Sequence, residues 1–189
     1  MIGLDEKYFI GVIPPEPLFG AIQGLKNHFK EAYGAKAALR SPAHITLHMP
    51  FLWPVKKEQR LTETLGQFAI AQKPLGLTLN NFSCFPPRVI FVDVAKSDEL
   101  EQLQRTLHRH CKQNLNLFNA NYQDRPFHPH ITLAFRDLRK DAFELAWKEF
   151  MNRELTGSFI VNSISLMKHN GSVWERFAEL PFSQSEAEV

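Results

Sequence analysis

The chain has 189 residues, 44% of them hydrophobic, and 22 Lys+Arg against 20 Asp+Glu give a formal net charge of +2. That apolar content can bury a sizeable core in one domain or two tightly joined lobes, and the charge bias is too mild to mark a dedicated nucleic-acid binder. Cys84 and Cys111 lack metal-ligand spacing, charges crowd the first seven residues, and no apolar run approaches the roughly 20 residues of a membrane span; disulfide frameworks, thiolate metal sites, signal peptides and membrane insertion are all disfavoured, and a reducing, cytoplasmic setting is expected.

Residues 8–13 read as a strand ended by Pro14-Pro15, and 16–33 carry apolar residues at helical spacing (Leu18, Ile22, Leu25, Phe29) up to Gly34. A strand at His44-Ile45-Thr46-Leu47 follows the turn Ser41-Pro42-Ala43. Helical spacing returns over 57–72, and 75–84 and 89–95 read as strands joined across Phe85-Pro86-Pro87-Arg88. Ser97-Asp98-Glu99 predicts the N-cap of a helix running to about Asn114. A second strand, His130-Ile131-Thr132-Leu133, follows His128-Pro129; then come a helix over 138–153 and a hairpin of 159–168 with 173–180 about Asn170-Gly171. Each half thus holds helix, motif strand, helix and strand pair, which predicts an internal duplication with approximate two-fold symmetry. The polar, acidic tail 183–189 is expected to fray.

The repeated tetrapeptide carries the chemistry. Side chains alternate along a strand, so His44 and Thr46 point to one face while Ile45 and Leu47 point to the other, and His130 and Thr132 repeat the arrangement. In-line cleavage of a phosphodiester needs a base on one side of phosphorus, an acid on the other and donors for the non-bridging oxygens. Two histidines with an ordinary pKa of about 6.5 and two hydroxyls fill that list without a metal. A lone strand histidine is usually a surface or core residue, which is the reading for His28, His108, His110 and His169; duplicated context sets His44 and His130 apart.

The two motifs, 86 residues apart, and the stretch Arg125-Pro126-Phe127-His128-Pro129-His130-Ile131-Thr132-Leu133-Ala134 resemble the paired signature of the two-histidine phosphoesterase superfamily, over about residues 7–182. The superfamily includes 2′-5′ RNA ligase-like proteins and cyclic nucleotide phosphodiesterases. The resemblance implies an α+β fold of two pseudo-symmetric lobes, each an antiparallel sheet with helices on its outer face, around a central groove, within one domain spanning 1–182. It implies chemistry with no cofactor or metal, His44 and His130 as catalytic residues, Thr46 and Thr132 as phosphate-binding residues, and partners that are RNA ends, short oligonucleotides or small cyclic phosphates. One histidine would activate water and the other protonate the departing ribose oxygen; His44 is favoured as acid and His130 as base. A two-lobed chain supplies its own pseudo-dimer, so a monomer is expected.

Other readings stand beside this one. His48 and His128 fall on the predicted faces of the motif histidines, so the four could close a zinc tetrahedron, although residues i and i+4 of a strand lie about 13 Å apart. Otherwise they would line the ends of the groove. Arg88 could reach a phosphate or be a solvated turn residue. Phe51, Trp53, Phe85 and Phe127 could stack on a base or pack in the core, with Phe85 and Trp53 nearest to predicted turns. A non-catalytic RNA-end binding module is a further class, less suited to two titratable rings than to Arg or Lys.

Overall fold

Element order follows the sequence expectation closely. The computed structural model describes residues 4–118 and 125–183. Along it run β1 (Asp5–Val12), α1 (Leu18–Tyr33), a 3-10 helix (Ala37–Arg40), β2 (Ile45–Pro54), α2 (Glu58–Ala69), β3 (Leu75–Phe85), β4 (Val89–Val94), α3 (Asp98–Leu115), β5 (His130–Ala134), α4 (Lys140–Phe150), β6 (Thr156–Val161), β7 (Ser163–His169) and β8 (Trp174–Pro181). Local chemistry explains the helix ends. Gly34 adopts φ +70 after α1, and the Ala35 N–H reaches back to the Phe29 carbonyl, closing that helix where a side chain would be strained. At the start of α3, the Ser97 hydroxyl accepts from the Leu100 N–H, as expected for an N-cap, and Asp98, Glu99 and Glu101 complement the helix dipole.

The fold is α+β, built on one curled antiparallel sheet in the order β6-β3-β4-β5-β2-β1-β7-β8. The motif strands β2 and β5 are its two central members. Helices cover the face that carries Ile45, Leu47, Ile131 and Leu133, all fully or almost fully buried. They cross over in doing so: α1, which precedes β2, packs on β5, while α3, which precedes β5, packs on β2.

One expectation fails at Asn162. Residues 159–168 are not a single strand: Thr156–Val161 pairs with β3 at one end of the sheet, and Ser163–His169 pairs with β1 and β8 at the other. The hairpin about Asn170-Gly171 forms as expected, with Gly171 at φ +95, but it joins the N-terminal strands. The halves of the sequence are therefore not the halves of the sheet. Curling brings the sheet's ends close enough for one residue to bridge them, so alternation continues through Asn162 with no break to mark the change. At the C-terminus, Ser183 is held, its N–H and hydroxyl both donating to the Gln72 carbonyl; the rest of the tail expected to fray lies outside the described residues.

Candidate active site

The site begins with one backbone register. Ile45 pairs with Ile131 across the antiparallel β2–β5 contact. Residues opposite each other share a face, so both isoleucines point into the helix-covered core, and the residues on either side of them point to the open face. Extending the register by one residue sets His44 across from Thr132 and Thr46 across from His130. The two histidines are then diagonal neighbours, with backbones about 7–8 Å apart, a separation that admits a phosphoryl group between the rings. All four side chains are half-buried.

The ring orientations repeat as well. His44 Nδ1 lies 2.7 Å from the Pro42 carbonyl, and His130 Nδ1 lies 2.7 Å from the His128 carbonyl. A carbonyl can only accept, so each Nδ1 carries the hydrogen and each Nε2 keeps its lone pair when the ring is neutral. Each ring also packs on an aromatic side chain: His44 lies 4.5 Å from Phe9 and His130 lies 4.8 Å from Phe91, centroid to centroid.

The electrostatics are less symmetric. Burial pushes His44 from 6.5 down to about 4, against the pull of its Pro42 hydrogen bond; the charges of Lys26 and His130 lower it further. His130 is also lowered, chiefly by burial and then by His128, while the His128 carbonyl and Asp93 act in the opposite direction. A cation thus acts on one ring and a carboxylate on the other.

The outer histidines part company. β2 carries an irregularity: Gly11 pairs with Thr46 but Ile10 pairs with His48, so Leu47 is an extra residue and the alternation slips. His48 consequently turns off the open face and is 1% exposed, its ring 5.3 Å from Phe51 and 6.4 Å from His108 of α3. The expectation that His48 shares a face with His44 is wrong, and the four-histidine zinc site is not assembled. Among the described residues, no three His, Cys, Asp or Glu side chains form a group able to hold a metal. His128 stays exposed at the rim, 3.2 Å from Asp93.

Of the aromatic candidates, Phe85 is 41% exposed, with its ring 5.5 Å from that of His130. Trp53 is a core residue, 7% exposed, whose indole donates to the Lys57 carbonyl; Phe51 packs on Tyr8, and Phe127 packs against the core. Arg88 is exposed in the β3–β4 turn. Sequence reasoning missed Phe9 and Trp174. Trp174 of β8 packs edge-on against Phe9 at 4.8 Å and against His169 at 5.0 Å, so an aromatic wing extends from His44 as Phe85 extends from His130. Phe9 had a signal, since β1 is apolar on both faces; Trp174 reaches the site only through the β1–β7 pairing.

Residues 14–173 match the family model of the 2′-5′ RNA ligase superfamily. The chain belongs to this superfamily. Among its relatives are the RNA 2′,3′-cyclic phosphodiesterase of Bacillus subtilis, 30% identical over 150 residues (76% of this chain, 78% of that one), and a Bacillus licheniformis protein named a phosphoesterase, 28% identical over 133 residues (68% and 70%). The fold is shared with E. coli LigT, crystallised with 3′-AMP (TM-score 0.65, 19% identity, 96% of this chain and 100% of that one), and with a Thermus thermophilus protein (TM-score 0.62, 19% identity, 93% and 97%). As a member of the two-histidine superfamily, the chain is an enzyme of the phosphoesterase kind, and no helix among its described residues is long and apolar enough to cross a membrane.

Proposed function

We propose that the enzyme hydrolyses ribose 2′,3′-cyclic phosphates or 2′-5′ linkages without a metal, in a groove between two pseudo-symmetric wings of the sheet, with His44 and His130 as acid and base and with Thr46 and Thr132 holding the non-bridging oxygens. The observation that carries this reading is the matched anchoring of the two rings: each Nδ1–H is committed to the carbonyl two residues back, and each Nε2 is left for the substrate. A water that attacks phosphorus gives its proton to one Nε2, and the other ring gives a proton to the departing ribose oxygen. Phosphorus exchanges one P–O bond for another, and the pair returns to its starting state after one proton crosses between the rings through solvent.

Burial lowers both rings and so favours their neutral forms in the free protein, and the acid takes up its proton from solvent as the anionic substrate binds. An anionic phosphate between the rings raises their pKa values, opposing the burial that lowers them. Lys26 resists that rise at His44 and Asp93 assists it at His130, which runs against the order favoured from sequence, His44 as acid and His130 as base. In the reverse, ligating direction the roles exchange. Free thiols at Cys84 and Cys111 fit a reducing, cytoplasmic setting, and a site complete within one chain fits a monomer.

The test is turnover of 2′,3′-cyclic nucleotides and a short 2′-5′-linked oligonucleotide in excess EDTA, with His44→Ala and His130→Ala alongside. Turnover that survives chelation and falls at least a hundredfold in both variants supports the mechanism. Loss of activity on chelation would overturn its metal independence, and tight RNA-end binding without turnover would move the chain to the binding-module class.

A further inference from the structure

Lys26 is the most deeply buried Lys, Arg, Asp or Glu among the described residues. It is 1% exposed on α1, on the apolar stripe that includes Ile22 and Phe29. No carboxylate among the described residues pairs with it; its ammonium donates instead to the Ala38 carbonyl at 3.2 Å and the Ser41 carbonyl at 3.0 Å. Ala38 lies within the 3-10 helix Ala37–Arg40, where its carbonyl also accepts the Ser41 N–H, and Ser41 is the residue after that helix. At the other end of that helix, the Asp137 carboxylate accepts the N–H groups of Lys36 and Ala37, both at 2.9 Å.

The segment is gripped by two charges: the free N–H groups at its start meet an anion, and the Ala38 and Ser41 carbonyls meet a cation. Its position gives this clamp a consequence. The segment leads directly into Pro42, whose carbonyl fixes the His44 ring, while Asp137 lies three residues beyond the end of β5, the strand of His130. The 3-10 helix is thus tied to both motif strands.

We infer that Lys26 and Asp137 are positioning residues that brace the 3-10 helix before β2, so that the Pro42 carbonyl holds the His44 ring in register with His130; the inference rests on the proposed catalytic role of His44. Neither residue touches the reacting atoms. Lys26 acts on His44 in a second way, as a nearby cation; the charged groups acting on that ring are Lys26 and His130. Burial without an anion brings Lys26 from 10.5 down to about 7, so its charge changes near neutrality.

The experiment compares Lys26→Met, Lys26→Arg and Asp137→Ala, reading kcat and KM with a 2′,3′-cyclic nucleotide and the His44 imidazole by 15N NMR. A brace predicts that kcat falls about tenfold or more in Lys26→Met and Asp137→Ala while KM changes less than threefold, because small misplacements of a catalytic ring act on the chemical step. Lys26→Arg, which keeps the charge, recovers part of the loss. In Lys26→Met the pH limb reporting His44 moves to higher pH, and the Nδ1–H signal of His44 broadens as its tautomers mix. Folded variants with wild-type kcat and an unchanged His44 spectrum would overturn the inference. Should Lys26→Met fail to fold, exposed Asp137 gives the same decision by the kcat and tautomer readouts. If His44→Ala leaves turnover intact, the functional reading fails, yet the spectral link from Lys26 to His44 is still read independently of activity.

Discussion

Ile45 and Ile131 oppose one another at the centre of the sheet, and their register alone puts two histidines and two threonines on its open face. Both isoleucines are fully buried, so the same contact serves the core and the site. Ile131→Ala is expected to cost about 2–5 kcal/mol of stability, the usual range for emptying a core position. Ile131→Val should cost about 1 kcal/mol and retain turnover. Urea denaturation and kcat at 25 °C check both; a stable Ile131→Ala with full activity would refute the shared role.

Thr46 and Thr132 can be tested with little disturbance of the fold, since valine keeps their β-branched shape and both are half-buried. Each Thr→Val change should lower kcat/KM about ten- to a hundredfold by removing one donor to a non-bridging oxygen. Melting temperatures should move by no more than a few degrees. The pair should be less than additive if both hydroxyls serve one phosphate.

His44 also makes stability depend on pH. Its folded pKa of about 4 lies below the unfolded 6.5, so between these values the unfolded chain binds the proton that the folded chain refuses. Its stabilising contribution is complete above about pH 6.5, is lost as pH falls toward 4, and amounts to on the order of 3 kcal/mol. His130 and His48 are lowered too and act in the same direction. Urea midpoints should fall from pH 7 to pH 4.5 by more in the wild type than in His44→Gln.

Phosphate should reverse that effect locally. Binding of inorganic phosphate or a nucleotide monophosphate at pH 7 is expected to draw a proton onto one ring, since the anion stabilises the imidazolium. Calorimetry in two buffers of different ionisation enthalpy measures the uptake. It should fall toward zero when both motif histidines are replaced.

The aromatic wings predict an effect on binding rather than on chemistry. Phe85→Ala and Trp174→Ala should raise KM for substrates carrying a base by roughly five- to a hundredfold, the range for a lost stacking contact, and leave kcat within about threefold. A ribose cyclic phosphate lacking a base should show no such rise.

The elements that position the site were largely legible, because each is announced locally: alternation marks β2 and β5, Ser97 caps α3, and Asn170-Gly171 turns the last hairpin. The slip at Leu47 was not legible. It is produced by the pairing of β1 with β2, and nothing in His44–His48 itself breaks the alternation, so the sequence pattern alone puts His48 on the wrong face. Lys26 escaped for the opposite reason: it sits on an apolar stripe where a lysine reads as an intruder, and its partners are main-chain carbonyls that have no sequence signature. Trp174 and Phe9 are distant in the chain and meet only across three strands.

The exchange of strands at Asn162 bears on how the protein can be made. Along β1, Tyr8 to Gly11 have their outer partners at Ser165 to Lys168, so a nascent chain that has emerged only as far as β5 already holds both motif histidines and still lacks the two strands that flank β1 on its outer side. Until the last strands leave the ribosome, β1 presents an unpaired edge that is apolar on both faces, the kind of edge that recruits stray chains. Completion of the site and protection from aggregation thus fall to the same late event in synthesis.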